Sequence, residues 1–226
     1  DGVTWETHPA NPLFEEPPDG GWDRSRMDAI EVLWDPEGDE YVLIYQGLYL
    51  DGGKSGLGVY TSGDGLSWDK FNDGEMVLDF GSGADYNGVS YCWPLAFTKN
   101  SKGFDGYLAG GASSGMGNEV CEIYGFGGST LEGMTLDTTP VLSAGPDWYD
   151  MSGITGAAVA ELDGTFYMFY TGFETWTDGG QWRYATNSNL NLATSTDGYN
   201  WTKDENNPLP VNVSGSPKRV NNGGEG

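Results

Sequence analysis

The 226-residue chain is poor in the residues that most often carry catalysis. It has one histidine, His8, and two cysteines, Cys92 and Cys121. A Ser-His-Asp triad or a His-ligated zinc site is not expected from so little. Two cysteines permit one disulfide but no disulfide scaffold. Basic residues are scarce as well: 10 Lys and Arg stand against 34 Asp and Glu, a formal charge of −24. Such a surface repels phosphates, which argues against DNA or RNA as a partner. It suits an extracellular protein or a salt-adapted one, and a secreted or cell-surface location is expected. No run approaches 18 apolar residues, so no membrane-spanning helix is expected.

Glycine and the aromatics are plentiful: 37 Gly, 9 Trp, 13 Tyr. That mixture suits short strands joined by tight turns, an all-β chain. One stretch recurs. Leu57 to Trp68 reads LGVYTSGDGLSW, and Leu192 to Trp201 reads LATSTDGYNW. Asp-Gly between alternating apolar residues predicts a hairpin, with a new strand beginning at Leu66-Ser67-Trp68. A truncated copy opens the chain as Asp1-Gly2-Val3-Thr4-Trp5. A worn copy is read over Ser129 to Leu136, with Glu132-Gly133 in the Asp-Gly position. The acids fall at 1, 64, 132 and 197, a period of about 65 residues that suggests stacked sheets or propeller blades.

Each full repeat divides into four antiparallel strands, as in a propeller blade. In the first these are Met27–Trp34, Tyr41–Tyr45, the strand ending at Ser62, and the one after the Asp-Gly turn. The loops Gln46–Gly56 and Thr171–Asn189 separate strands two and three in the first and third repeats. Blades are expected at about 15–80, 81–143 and 144–211, with 1–14 and 212–226 as parts of further blades. Five blades of this size need about 325 residues, so an incomplete ring is expected. The alternative is an open propeller that closes by pairing residues 1–14 with the C-terminal strands or with another copy. The oligomeric state is not legible.

Antiparallel order sorts the loops onto two faces. The Asp-Gly turns share one face, where Asp64, Asp197 and Glu132 are expected to hold turn backbone, with Ser62 and Ser195 in the same role. Trp68 and Trp201 are expected to pack between blades. The other face collects the starts of the inner strands with Asp28, Asp85 and Asp150. It also collects Tyr49, Glu119, Glu174, Trp176, Trp182 and Arg183 from loops, and Trp22 and Arg26 from a connector. Carboxylates among aromatics suit sugar chemistry: one acid protonates the leaving oxygen, a second attacks or activates water, and rings stack on sugar faces. Any one acid among 34 is more often a solvated side chain than a catalyst. Asp28 stands out because it opens an otherwise apolar strand; Glu31, three residues on, is expected on the opposite side, between blades. Asp35, Glu37, Asp39 and Glu40 cluster in a turn. They offer calcium-type oxygen ligands without calcium-loop spacing, so a solvated turn is the first reading, and no other metal or cofactor is expected.

Gly21-Trp22-Asp23, Tyr41-Val42-Leu43-Ile44-Tyr45-Gln46-Gly47, Leu57 to Ser62 and Asp64-Gly65-Leu66-Ser67-Trp68 together resemble the five-bladed β-propeller glycosidases, the superfamily of arabinanases, xylosidases, invertases and levansucrases. Phe166 to Gly172 with Leu192 to Gly198 repeats the pattern. The Asp-Gly-x-x-Trp turn is also similar to the Asp box of sialidases. The resemblance covers most of the first and third repeats. It implies acids at inner-strand starts of successive blades: a nucleophile or base, a tuning Asp and a Glu acid. Asp28 matches by its place in the repeat. Asp85 and Asp150 match less closely, and Ser152-Gly153-Ile154 stands where the Glu belongs. The invertase-type Asn-Asp-Pro and Glu-Cys-Pro signatures are absent. Two functions follow as expectations: a glycoside hydrolase with Asp28 as one carboxylate and Glu174 or Glu119 as the acid, or a non-catalytic carbohydrate-binding or surface propeller.

Overall fold

The computed structural model describes residues 3–14, 21–23, 26–49, 54–82, 85–86, 89–100, 102–112, 121–151, 153–175 and 185–210. Among them the strands run in chain order as β1 (Arg26–Asp35), β2 (Glu40–Tyr49), β3 (Lys54–Ser62), β4 (Asp69–Lys70), β5 (Leu78–Ser82), β6 (Asp85–Tyr86), β7 (Val89–Asn100), β8 (Gly103–Ala112), β9 (Glu122–Gly128), β10 (Thr135–Leu142), β11 (Ile154–Leu162), β12 (Thr165–Thr175), β13 (Ala185–Ser195) and β14 (Thr202–Lys203). They form three antiparallel sheets: β1-β2-β3-β4 with β5 also on β3, then β10-β9-β8-β7-β6, then β11-β12-β13-β14. The all-β architecture of meandering blades is therefore the one expected.

Strand alternation explains how the blades stack. Val42 and Ile44 face the second sheet and meet Phe97, Leu108 and Phe126 in a buried core. Leu43 and Tyr45 point the other way, against Trp22 and Tyr60. Between the second and third sheets, Tyr107 and Ile123 meet Ile154, Met168 and Tyr170. The ladders continue further than the apolar text. Gln46 to Tyr49 pair with Leu57 to Lys54, and Thr171 to Thr175 pair with Leu190 to Ala185. Parts of the two expected loops are thus strand, because ladder hydrogen bonds are made by backbone whatever the side chain.

The Asp-Gly turns are not two-residue hairpins. Asp64 Oδ1 accepts the N–H groups of Leu66 and Ser67, both at 2.7 Å, and Ser62 Oγ accepts that of Gly65 at 2.8 Å. Asp197 does the same for Tyr199 and Asn200, at 2.9 and 2.7 Å, and Ser195 for Gly198. The side chains take amides that a ladder would use, so pairing resumes only at Asp69 and Thr202. Gly65 and Gly198 sit at φ +74° and +81°, the left-handed region that glycine enters without strain. Trp68 and Trp201 donate Nε1–H to the carbonyls of these glycines. Trp201 also packs edge-on against Tyr107 of the second blade, 5.6 Å between centroids. Trp68 meets Phe14 of the N-terminal segment instead.

The worn middle copy is shifted from its expected position. Thr61 pairs with Asp69, Thr194 with Thr202 and Gly127 with Thr135, so the three loops have one length. Counting from the strands puts Thr130 in the place of Asp64 and Met134 in that of Trp68. Glu132 is exposed and lies two residues beyond the turn position. Strand register fixes the correspondence, whereas the acid-Gly dipeptide matches by letters alone.

Candidate functional site

The three sheets share an orientation. At the turn face, Lys99 of the second blade bonds Glu37 of the first at 2.8 Å, and Tyr107 of the second donates to the Gly198 carbonyl of the third at 2.9 Å. The opposite face therefore holds the starts of β1, β7 and β11 and the far ends of β2 and β12. The strand backbone places positions Arg26, Asp28, Tyr49, Asp85 and Glu174 at that end. Glu119, Trp176, Trp182 and Arg183 lie outside the described residues.

Every inner strand slips register near its start: between Asp28 and Glu31, between Ser90 and Trp93, and between Thr155 and Ala157. Bulges of this kind re-aim a strand. In β1 the extra residue cancels the odd offset. Positions 28 and 31 fall opposite Gln46 and Ile44, two residues apart on β2, and so on one side of the sheet. The expected opposition of Asp28 and Glu31 does not hold. Glu31 does lie between blades, where burial raises its pKa and the Phe97 backbone of the second blade hydrogen-bonds it. The register also separates the three acids grouped above. The position of Asp28 is held by Trp93 in the second blade and Thr155 in the third. Asp85 belongs to the added strand β6, and Asp150 precedes β11.

Asp150 is the one expected catalytic acid whose side chain is described, and it has no exposed surface. Lys203 Nζ stands 2.6 Å from Oδ2, the Tyr170 hydroxyl donates to Oδ2 at 3.1 Å, and the Gly145 amide donates to Oδ1 at 3.1 Å. Lys203 also donates to the Gly145 carbonyl at 2.7 Å. Asp150 thus ties the start of its inner strand to the second and fourth strands of its blade. As placed it braces the blade and presents no oxygen to a substrate. The first blade repeats the arrangement. Asp23 Oδ2 takes the Tyr45 hydroxyl at 2.6 Å and Lys70 Nζ at 3.0 Å, again fully buried. Trp22, expected to bind substrate, covers this brace. It stacks on Tyr45 at 5.9 Å and donates Nε1–H to the Gly74 carbonyl at 2.8 Å. Burial, then the neighbouring carboxylate, pushes the Tyr45 and Tyr170 hydroxyls up, which keeps them neutral donors.

The brace was in the text all along. An aromatic-Asp pair (Trp22-Asp23, Tyr149-Asp150) is followed by Tyr-x-Gly (Tyr45 to Gly47, Tyr170 to Gly172) and then Trp-x-Lys (Trp68 to Lys70, Trp201 to Lys203). The glycines are needed for space: a Cβ on Gly47 would lie 2.4 Å from Trp22 Cζ3, and one on Gly172 would lie 2.6 Å from Asp150 Cβ. The second blade solves the same position with carbon. Leu108 and Leu136 occupy the register places of the tyrosine and the lysine, both buried. At the calcium-type turn, Asp35 Oδ1 caps the Glu37 amide at 3.0 Å and Glu37 pairs with Lys99. Among the described residues no group of three or more His, Cys, Asp or Glu is gathered to hold a metal ion. Nor does any described helix have the length and apolarity to cross a membrane. Cys121 is half-buried immediately before β9.

No family pattern matches the sequence, and no curated protein matches it. Solved structures do. A thermostable family-43 glycoside hydrolase superposes with a TM-score of 0.56 at 18% identity, covering 83% of this chain and 57% of that one. A family-117 glycoside hydrolase of the marine bacterium Zobellia galactanivorans gives 0.56 at 12% identity, over 80% and 55%. The Bombyx mori family-32 β-fructofuranosidase, solved with sucrose, gives 0.57 at 15% identity, over 81% and 34%. Together with the three stacked blades, these make the protein a β-propeller. More narrowly, its three blades superpose on parts of glycoside hydrolases of families 43, 117 and 32, a likeness of fold. The chain spans less than three-fifths of the length of each of these neighbours.

Proposed function

We propose that the protein is a glycoside hydrolase-like propeller that takes a glycan at the face where the inner strands begin, with Asp28 as one reacting carboxylate. The observation that carries this reading is the position of Asp28. It lies at a bulged inner-strand start, at the end of the blades opposite the braced Asp-Gly turns. A propeller mouth is where convergent carboxylates can flank a glycosidic bond. Glu174, at the far end of β12, and Glu119 are the candidates for the acid, and Asp85 for a tuning group. Trp176, Trp182, Arg183, Arg26 and Tyr49 are the candidates for substrate contact. Fold likeness to glycosidases supports the substrate class and leaves the reaction to the site residues. Release of aryl alcohol from a panel of aryl glycosides tests the proposal. Activity that falls by about 10²-fold or more in Asp28→Asn, with an unchanged melting temperature, supports it; full activity in the variant overturns the assignment.

A second reading is a glycan-binding propeller without turnover. Two observations favour it: Trp93 and Thr155 occupy the places of Asp28 in the other blades, and Asp150 is committed to its brace. It requires saturable binding to a glycan array with no product, lost in Trp176→Ala or Trp182→Ala. An array with no positive spot removes it.

A further inference from the structure

Trp148 takes no part in the brace that it adjoins. The aromatic-Asp pair is preceded by Gly21 in the first blade and by Trp148 in the third. Trp22 and Tyr149 are buried, whereas the Trp148 side chain is 50% exposed. The first blade builds the same brace with glycine in this place, so the brace does not call for an indole. The ring nevertheless stands on a rigid base. The Asp150 amide donates to the Asp147 carbonyl at 3.3 Å, and the Gly145 and Gly153 amides both donate to the Asp150 carbonyl, at 3.1 and 3.2 Å. The Tyr149 hydroxyl donates to Asp147 Oδ2 at 3.0 Å, and the Tyr149 ring meets that of Trp148 at 80°, 6.1 Å between centroids. A ring fixed in this way loses little freedom when something stacks on it.

The connector that carries Trp148 lies against one side of the third sheet. The Tyr149 carbonyl and Asp150 Cβ both come 2.6 Å from the point that a Cβ on Gly172 would occupy, and Asn189 Nδ2 reaches the Tyr149 carbonyl at 3.5 Å. On that side the strands alternate as Tyr170, Gly172 and Glu174 in β12 and as Asn191, Asn189 and Asn187 in β13, paired rung by rung. The same side faces the second blade, where Tyr170 and Met168 pack with Tyr107 and Ile123. The rung of Glu174 and Asn187 is two residues past Gly172 toward the mouth, about 7 Å along the strands. Trp148 thus shares one side of the blade with the candidate acid. We propose that Trp148 is the stacking platform of a sugar subsite on this side of the third blade, holding the unit next to the one at Glu174. The inference rests on the glycan reading above and adds which ring is held and how. The indole takes a pyranose whose equatorial hydroxyls leave C–H bonds on the ring face. The occupant is therefore an oligosaccharide of at least two units.

The probes are soluble gluco-, xylo-, galacto- and arabino-oligosaccharides, each from mono- to hexasaccharide. Binding to the full chain, to Trp148→Phe and to Trp148→Ala is read by calorimetry, or as KM where a probe is hydrolysed. In the parent, affinity should step up between the mono- and disaccharide or between the di- and trisaccharide of the preferred series. Trp148→Ala should remove that step, weakening the longer probes about 10–100-fold and leaving the monosaccharide nearly unchanged. Trp148→Phe, which keeps a ring, should restore most of it, and KM should rise by more than kcat falls. A change below about threefold in Trp148→Ala overturns the platform and leaves the glycan reading standing. So does a loss spread equally over all chain lengths, accompanied by a lower melting temperature, which would assign the ring to packing. A parent that neither binds nor hydrolyses any probe overturns the platform and the glycan reading together. Should Trp148→Ala fail to fold, Trp148→Leu, apolar but without a ring, is read in the same way, and failure of both overturns the proposal.

Discussion

Removing Lys203 should expose how much the buried brace contributes. Lys203→Met keeps the aliphatic stem and deletes the charge. It leaves the Asp150 carboxylate, which has no exposed surface, without the ammonium now 2.6 Å away. Tyr170 and Gly145 still donate to it, but neither supplies a compensating charge. Breaking a buried pair from one side costs about 3–5 kcal/mol, because the surviving charge stays desolvated. At roughly 2–4 °C per kcal/mol for a domain of this size, that lowers the melting temperature by about 6–20 °C. The partner variant Asp150→Asn should also destabilise. The double variant should be less damaged than the sum, by about 1–3 kcal/mol of coupling, since neither charge is then stranded. Urea unfolding followed by tryptophan fluorescence reads all three. A single-variant loss below about 0.5 kcal/mol, or an additive double variant, refutes the reasoning. The second blade shows why that refutation is conceivable: Leu108 and Leu136 fill the same places without charge, and an apolar replacement can match a buried ion pair.

Gly47→Ala should destabilise by about 1–3 kcal/mol or more, because the new methyl collides with Trp22 and Asp23; thermal melts of Gly47→Ala and Gly63→Ala, the latter facing open space, should differ accordingly. The Asp-Gly turns make the fold acid-sensitive. Backbone amides of Ser67 and Leu66, in that order, hold the Asp64 carboxyl down to about 2, below its ordinary 3.8, and Asn200 chiefly holds Asp197 lower still. A lowered folded pKa means that this stabilisation is complete above about pH 4 and is lost as pH falls toward 2; Asp64→Asn with Asp197→Asn should flatten the melting temperature over that window, and an unchanged slope would count against the turns as its source. At alkaline pH the sign reverses. Tyr45 and Tyr170 are raised in the fold and ionise near 10 when unfolded, so stability falls as pH climbs above about 10. Absorbance at 295 nm should show these two phenolates forming only together with unfolding, and their titration within a folded protein would contradict the burial.

Much of the fold was open to direct reading because it rests on local rules. Alternation in Tyr41 to Tyr45 and in Phe166 to Tyr170, the tight turns and the period of about 65 residues specify antiparallel four-stranded blades whatever their surroundings. The roles of Ser62, Asp64, Ser195 and Asp197 were equally local, since each side chain bonds amides two or three residues away. Apart from the two-residue hairpin, which the Asp64 and Asp197 side chains replace, what failed depended on register. A single bulged residue in β1 moved Asp28 and Glu31 to one side of the sheet, and pairing put Thr130 where Glu132 had been matched. Asp150 lay near the start of its inner strand, as expected. But only the packed blade brings Tyr170 and Lys203, 20 and 53 residues further along, onto one carboxylate. Periodicity encodes which face of a strand a residue takes; it does not encode which distant side chain meets it there. Composition, turns and the repeat period are thus properties of the chain's local chemistry, whereas burial of a charge, and with it the difference between a brace and a catalytic acid, is decided by contacts that exist only when the strands of a blade pair and pack.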